Sequence, residues 1–156
     1  MTLAAIDKTD ASAITREFLT IMIGDQIFGI PILQVQDVLG PQKVTRVPLA
    51  PRAVAGSLNL RGRIVTAIDV RACLGMPPIE KTGLDMSVVV ENGGELYSLM
   101  IDRVGDVMSL PARDFEKSPP TLDPQWRGVC QGIYRLKDRL LVVLDVPRLL
   151  EGLESK

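Results

Sequence analysis

Asp114 and Glu116 lie close in the chain and are its nearest approach to a catalytic carboxylate pair. Nothing in the sequence buries them, and acids without burial read as a solvated loop. Histidine is absent, which removes Ser-His-Asp triads, imidazole bases, a phospho-accepting imidazole and the commonest metal ligand. Ser and Thr are left without the base that would activate them, although lysine bases remain. No Gly-rich phosphate loop ends in Lys-Ser or Lys-Thr, and no G-x-G-x-x-G stands between a strand and a helix. The residues therefore point to no cofactor and no metal. A small hydrolase or isomerase is a remote alternative, needing a deep pocket of mixed Lys and carboxylate groups. Cys73 and Cys130 read as separate small apolar residues of a reducing cytosol rather than as a disulfide.

What remains is binding chemistry, and the composition narrows its partners. The 156 residues are 46% apolar and 24% charged with a net charge of −1, an ordinary globular balance. Arg61, Arg63 and Arg71 are interspersed with acids, so no basic stripe for nucleic acid or anionic lipid forms. Six aromatic residues are too few for base-stacking platforms. No apolar run approaches the roughly 20 residues of a membrane span, and Met1 to Ser12 lacks an apolar signal core. The expectation is a cytoplasmic protein with a disordered tail over residues 1–14.

The elements that must position any docking residue are short and β-branched: Phe18 to Ile23, Ile27 to Ile32, Ile64 to Val70, Ser87 to Val90, Leu96 to Ile101 and Leu140 to Val146. Gly, Pro, Asn and Asp punctuate them, and Asn92-Gly93-Gly94 is a strong hairpin signal. Brief helices are expected near Ile32 to Val38, Arg71 to Leu74 and Arg148 to Leu150. Trp126, closing the Pro-rich stretch Ser118 to Pro124, is expected to clamp it onto the fold. Met22, Met86 and Met100 are gap fillers in or beside apolar runs.

An internal repeat is the most informative feature. A shift of 69 sets Gly24, Phe28, Ile30, Ile32, Val35, Asp37 and Val38 on Gly93, Tyr97, Leu99, Ile101, Val104, Asp106 and Val107. A shift of 76 sets Gly56, Leu60, Arg63, Ile64, Ile68, Asp69 and Val70 on Gly132, Leu136, Arg139, Leu140, Leu144, Asp145 and Val146. The chain is thus a duplicated β unit with an insertion between Val107 and Gly132. Features in both copies serve the fold: Asp69 and Asp145 are expected as helix N-caps, Asp37 and Asp106 as structural or surface acids. Features in one copy only are better functional candidates. The clearest is Asn59-Leu60-Arg61-Gly62, which becomes Arg135-Leu136-Lys137-Asp138. Gly62 suits a tight turn that displays the Arg61 fork outward.

With the repeat in place, the chain resembles the CheW family of chemotaxis coupling proteins and the CheW-like regulatory domain of the histidine kinase CheA. The resemblance spans residues 15–152. It rests on Phe28-Gly29-Ile30, Val35-Gln36-Asp37-Val38, Val47-Pro48, Pro51 and above all Gly56 to Gly62, followed by Ile64-Val65 and Ile68 to Arg71. Ile101 to Val104, Asp106-Val107, Gly132-Ile133 and Leu144-Asp145 extend it through the second half. It implies an all-β fold of two SH3-like five-stranded β-barrels packed on a shared apolar interface, with a few short helices. Residues 15–154 form one domain of two subdomains, about 15–82 and 83–154, with strands near the termini exchanged between them.

The resemblance also implies a non-enzymatic adaptor that joins chemoreceptor tips to CheA, with contacts between copies in rings. By matched positions, Val35, Gly56, Leu58, Asn59 and Arg61 fall to the receptor groove. Arg61 could also brace that groove by bonding a carbonyl or an acid. Ile30, Ile32, Val38, Leu39 and Val44, with Pro41 as a neighbour, fall to the kinase face, as an exposed apolar cluster. Thr66-Ala67 and Leu39-Gly40-Pro41 depart from the family pattern. Because the docking fold is shared and function lies in the partner, a coupling role in a nonchemotactic array serving pili, development or a second messenger stays open.

Overall fold

The computed structural model describes residues 14–51, 53–76, 86–117 and 124–154. The expected tail, Ile14 apart, and most of the Pro-rich insertion lie outside them. The strands are β1 (Thr15–Ile23), β2 (Gln26–Pro31), β3 (Val35–Leu39), β4 (Val54–Leu60), β5 (Arg63–Asp69), β6 (Met86–Asn92), β7 (Glu95–Ile101), β8 (Arg103–Pro111), β9 (Glu116–Lys117), β10 (Cys130–Arg135) and β11 (Leu140–Leu144). Short helices α1 (Val70–Cys73), α2 (Pro124–Arg127) and α3 (Val146–Glu154) join them, with 3-10 turns at Ile32–Gln34 and Ala112–Asp114.

Two sheets result, ordered β8-β1-β2-β11-β10-β9 and β3-β6-β7-β5-β4. Apart from the two-residue β9, the repeat shifts lay the first order on the second strand for strand. They are the two SH3-like barrels, here called the β1 and β6 barrels. The two halves, about 15–82 and 83–154, each contribute strands to both sheets. The β1–β2 hairpin of the first copy joins β8–β11 of the second, and the β6–β7 hairpin of the second joins β3–β5 of the first. Parallel pairing of β2 with β11 and of β5 with β7 makes each join.

Strand alternation explains why this exchange is stable. On β1, Leu19, Ile21 and Ile23 face a core shared by both sheets, and on β6 Val88 and Val90 do the same. Ile68, Leu99, Leu144 and the helix residues Val70, Val146 and Leu149 complete that core. The opposite faces fill the barrels: Phe18, Tyr134, Leu141 and Val143 in one, Leu58, Val65 and Ala67 in the other. Asp69 caps α1 by accepting from Ala72 N (3.3 Å), and Asp145 caps α3 by accepting from Arg148 N (3.2 Å).

The helix expected over Ile32 to Val38 is only a 3-10 turn, after which β3 pairs with β6 from Val35↔Val90 to Leu39↔Ser87. The β-branched Val35 and Val38 favour extended backbone, and the ladder with β6 decides the matter. Trp126 reaches across the copies: its indole N–H donates to Leu74 O (3.1 Å), and its ring lies 5.3 Å from that of Phe28.

Candidate docking surfaces

The β4–β5 turn carries the one-copy motif. Arg61 (φ 52°) and Gly62 (φ 87°) both lie in the left-handed region, joining Leu60 and Arg63 in register. Arg61 bears a cost of about 1–2 kcal/mol there that glycine would not. Asn59 supports the turn, its Oδ1 accepting from Gly62 N (2.9 Å). The Arg61 side chain is 76% exposed and pairs with Asp37 at 3.0 Å. Asp37 is on β3 and Arg61 follows β4, the two edges of the β6 barrel, so the pair spans the seam of that barrel. Its repeat counterparts, Asp106 and Lys137, form no ion pair among the described residues. Asp37 is therefore more than a shared structural acid.

Gly56 and Leu58 lie behind that turn rather than on the surface. A Cβ on Gly56 would run into Thr45 O and Val44, and one on Gly132 into Glu116 O and Phe115. In each barrel a register shift adjoins the glycine, and a neighbouring backbone crosses close against it. Thr45 and Ser57 exchange two backbone bonds of 2.8 Å at this crossing, as β9 does with β10. Leu58 is buried inside the barrel, and Val35 packs partly against the shared core. Of the five receptor candidates, Asn59 and Arg61 are the exposed ones.

The kinase candidates do not form one exposed apolar cluster. Ile30 is fully buried in the shared core, where β2 lies between β1 and β11, and offers no surface. Ile32 packs partly against that core, while Leu39 and Val44 line the β6 barrel. Val38 alone of the five is exposed. Alternation along β3 separates it from Leu39.

Sequence reasoning missed two exposed leucines. Leu33 is 92% exposed in the first 3-10 turn, and Leu49 is fully exposed with φ 65° in the loop before β4. The repeat held a signal for Leu33, since the shift of 69 sets it on Asp102. Asp102 does the opposite work: it pairs with Arg71 at 2.9 Å and accepts from Gly24 N at 2.7 Å, joining α1, β7–β8 and the β1–β2 turn. Burial alone would push this carboxyl up, but Arg71 and the Gly24 N–H outweigh it and hold it below its ordinary range. Burial pushes the Cys130 thiol up to about 12, with Asp145 adding to the shift, and no disulfide joins it to Cys73.

Among the described residues no cluster of His, Cys, Asp and Glu could hold a metal, and no helix is long and apolar enough to cross a membrane. The family model described as CheW-like domain matches residues 17–154. A chemotaxis protein CheW of Klebsiella aerogenes is 30% identical over 97% of this chain and 92% of its own length. One from Helicobacter pylori is 30% identical over 86% of this chain and 81% of its own. The crystal structure of the scaffolding protein TtCheW from Thermoanaerobacter tengcongensis shares the fold, with a TM-score of 0.77 at 23% identity over 84% of this chain and 89% of that one. A duplicated pair of barrels with exchanged hairpins, matched along nearly its whole described length, places this chain in the CheW-like family.

Proposed function

We propose that this chain is a non-enzymatic adaptor that couples chemoreceptor tips to the histidine kinase CheA in signalling arrays. The observation that carries the reading is the asymmetry between the matching turns of two barrels built on the same strand order. One copy alone exposes an arginine from a left-handed turn and fixes it with an acid on the opposite edge strand of the barrel. A planar guanidinium so held recognises a helical tip through directed hydrogen bonds, while apolar neighbours supply the anchor. Asn59 and Arg61 make the receptor contact, and Val35, Gly56 and Leu58 shape the groove from behind. Val38 is the exposed member of the kinase face, backed by Ile32, Leu39 and Val44. The adaptor works in the cytoplasm, reaches the membrane only through its partners, and makes further contacts between copies in rings.

Calorimetry of the pure protein with a CheA regulatory domain and a receptor-tip fragment from the same organism tests this. Arg61→Ala is expected to lose receptor binding and keep kinase binding, and Val38→Glu the reverse. Failure of the folded wild-type protein to bind either partner sinks the reading. A second reading, coupling in a nonchemotactic array, draws on Leu39-Gly40-Pro41 and on the similarity to Protein PilI of Pseudomonas aeruginosa, 26% identical over 77% of this chain.

A further inference from the structure

The two barrels are built alike and filled differently. In the β1 barrel, Phe18 and Phe115 each lie 5.5 Å from Tyr134 between ring centroids, and Arg16 sits over Phe18 at 5.2 Å and over Phe115 at 5.3 Å. The repeat sets Ser87 on Phe18 and Leu58 on Tyr134. The matching approaches to Gly56 and Gly132 set Val44 on Phe115. Leu141 and Val143 likewise shrink to Val65 and Ala67. Ser98 and Met100 replace Gly29 and Pro31, which does not restore three rings.

Where one barrel holds aromatic side chains, the other therefore holds a cavity. It opens to solvent and has a volume of about 60 Å³, and its walls include Val44, Leu58, Met86, Ser87, Ser98 and Met100. Three of these six are the positions that carry the rings in the other barrel. Ser87 and Ser98 are 6% and 1% exposed, and none of the lining residues is charged.

We propose that this cavity binds one uncharged aromatic ring bearing a hydrogen-bonding substituent, the group that the β1 barrel supplies from its own chain. Aliphatic and thioether walls suit a ring, and sulfur at a ring edge is a favourable contact. The serine hydroxyls donate to and accept from a phenol or an indole N–H. A charged ring is refused, because no opposite charge stands in the walls to offset its desolvation. The ring comes either from a tyrosine of a docked protein or from a free phenol. The inference does not depend on the adaptor reading.

The test is a titration of the full chain, labelled with ¹³C at its methionine methyls, with p-cresol, toluene and benzoate. Saturable shifts confined to Met86 and Met100 are expected with p-cresol, a several-fold weaker response with toluene and none with benzoate. Ser87→Phe copies the other barrel's Phe18 and is expected to abolish the shifts. Val44→Phe copies Phe115 nearer the mouth and is expected to do the same, so a folding failure of one variant leaves the other to decide. Ser98→Ala is expected to erase the preference for p-cresol over toluene. N-acetyltyrosinamide separates the sources: binding beside p-cresol assigns a protein-borne ring, and p-cresol alone assigns a free phenol. Shifts that fail to saturate, that spread over all the methionines, or that persist in both folded ring-bearing variants overturn the proposal.

Discussion

Arg61 meets Asp37 at 3.0 Å across the seam of the β6 barrel, with the arginine far more exposed than the acid. An exposed pair contributes little to folding, about 0–1 kcal/mol. Its consequence is directional: the acid selects one pose for a side chain whose backbone is already strained. Arg61→Lys keeps the charge and loses the fork. The expected outcome is a nearly unchanged thermal midpoint with at least a roughly tenfold loss of receptor-tip affinity. Asp37→Asn is expected to lose a similar factor, and the double variant no more than either. Additive losses in a calorimetric cycle would show that the two residues act separately.

Gly132→Ala is expected to destabilise the protein by about 1–3 kcal/mol and Gly56→Ala by more, because both force a methyl against a crossing backbone carbonyl and Gly56 alone also holds a positive φ, 152°. Urea unfolding monitored by the single tryptophan reads both. A neutral result at either glycine would mean that its crossing strand yields.

Ile30→Ala and Val38→Ala separate core from surface within the set expected at the kinase face. Ile30 is enclosed, so its truncation is expected to cost about 2–5 kcal/mol. Val38→Ala on the exposed side of β3 is expected to stay within about 0.5 kcal/mol. The same unfolding titration orders the two.

Asp102 predicts an acid-side signature. Its carboxyl titrates below the ordinary 3.8, so its folded pKa is depressed. The stability it contributes is fully present above that ordinary value and is lost as pH falls through the folded one. Asp102→Asn is expected to cost about 1–3 kcal/mol at neutral pH. As pH falls through that depressed folded value, denaturation curves of the two proteins should converge.

Cys130 should resist alkylation. Burial raises its thiol to about 12, so almost no thiolate exists near neutral pH. Mass spectrometry after iodoacetamide is expected to find Cys73 modified first, and Cys130 only once the protein unfolds. Modification of native Cys130 would contradict its enclosure.

The sequence made the repeat, the short strands, both N-caps and the Asn59-to-Gly62 turn legible, because turn chemistry and capping are local. It could not show where each hairpin goes. A β hairpin with one apolar face fits either sheet, and the parallel pairings of β2 with β11 and β5 with β7 join segments far apart in the chain. Nor could it sort Ile30 from Val38, since β-branched residues line outer and inner faces alike in a barrel with apolar contacts on both. The partner of Arg61 was likewise hidden. Asp37 matched Asp106 in type, and only the fold brings it beneath the turn.

The hairpin exchange also says what a single unit would be. Cut loose from its twin, one copy holds three strands of one barrel and a hairpin that completes another. Two such molecules could satisfy their edges by trading hairpins, as a swapped dimer does. The duplicated chain is that dimer made covalent, with the second association turned into an intramolecular one. Each copy is then free to diverge at its turn and in its interior while the other keeps the fold closed.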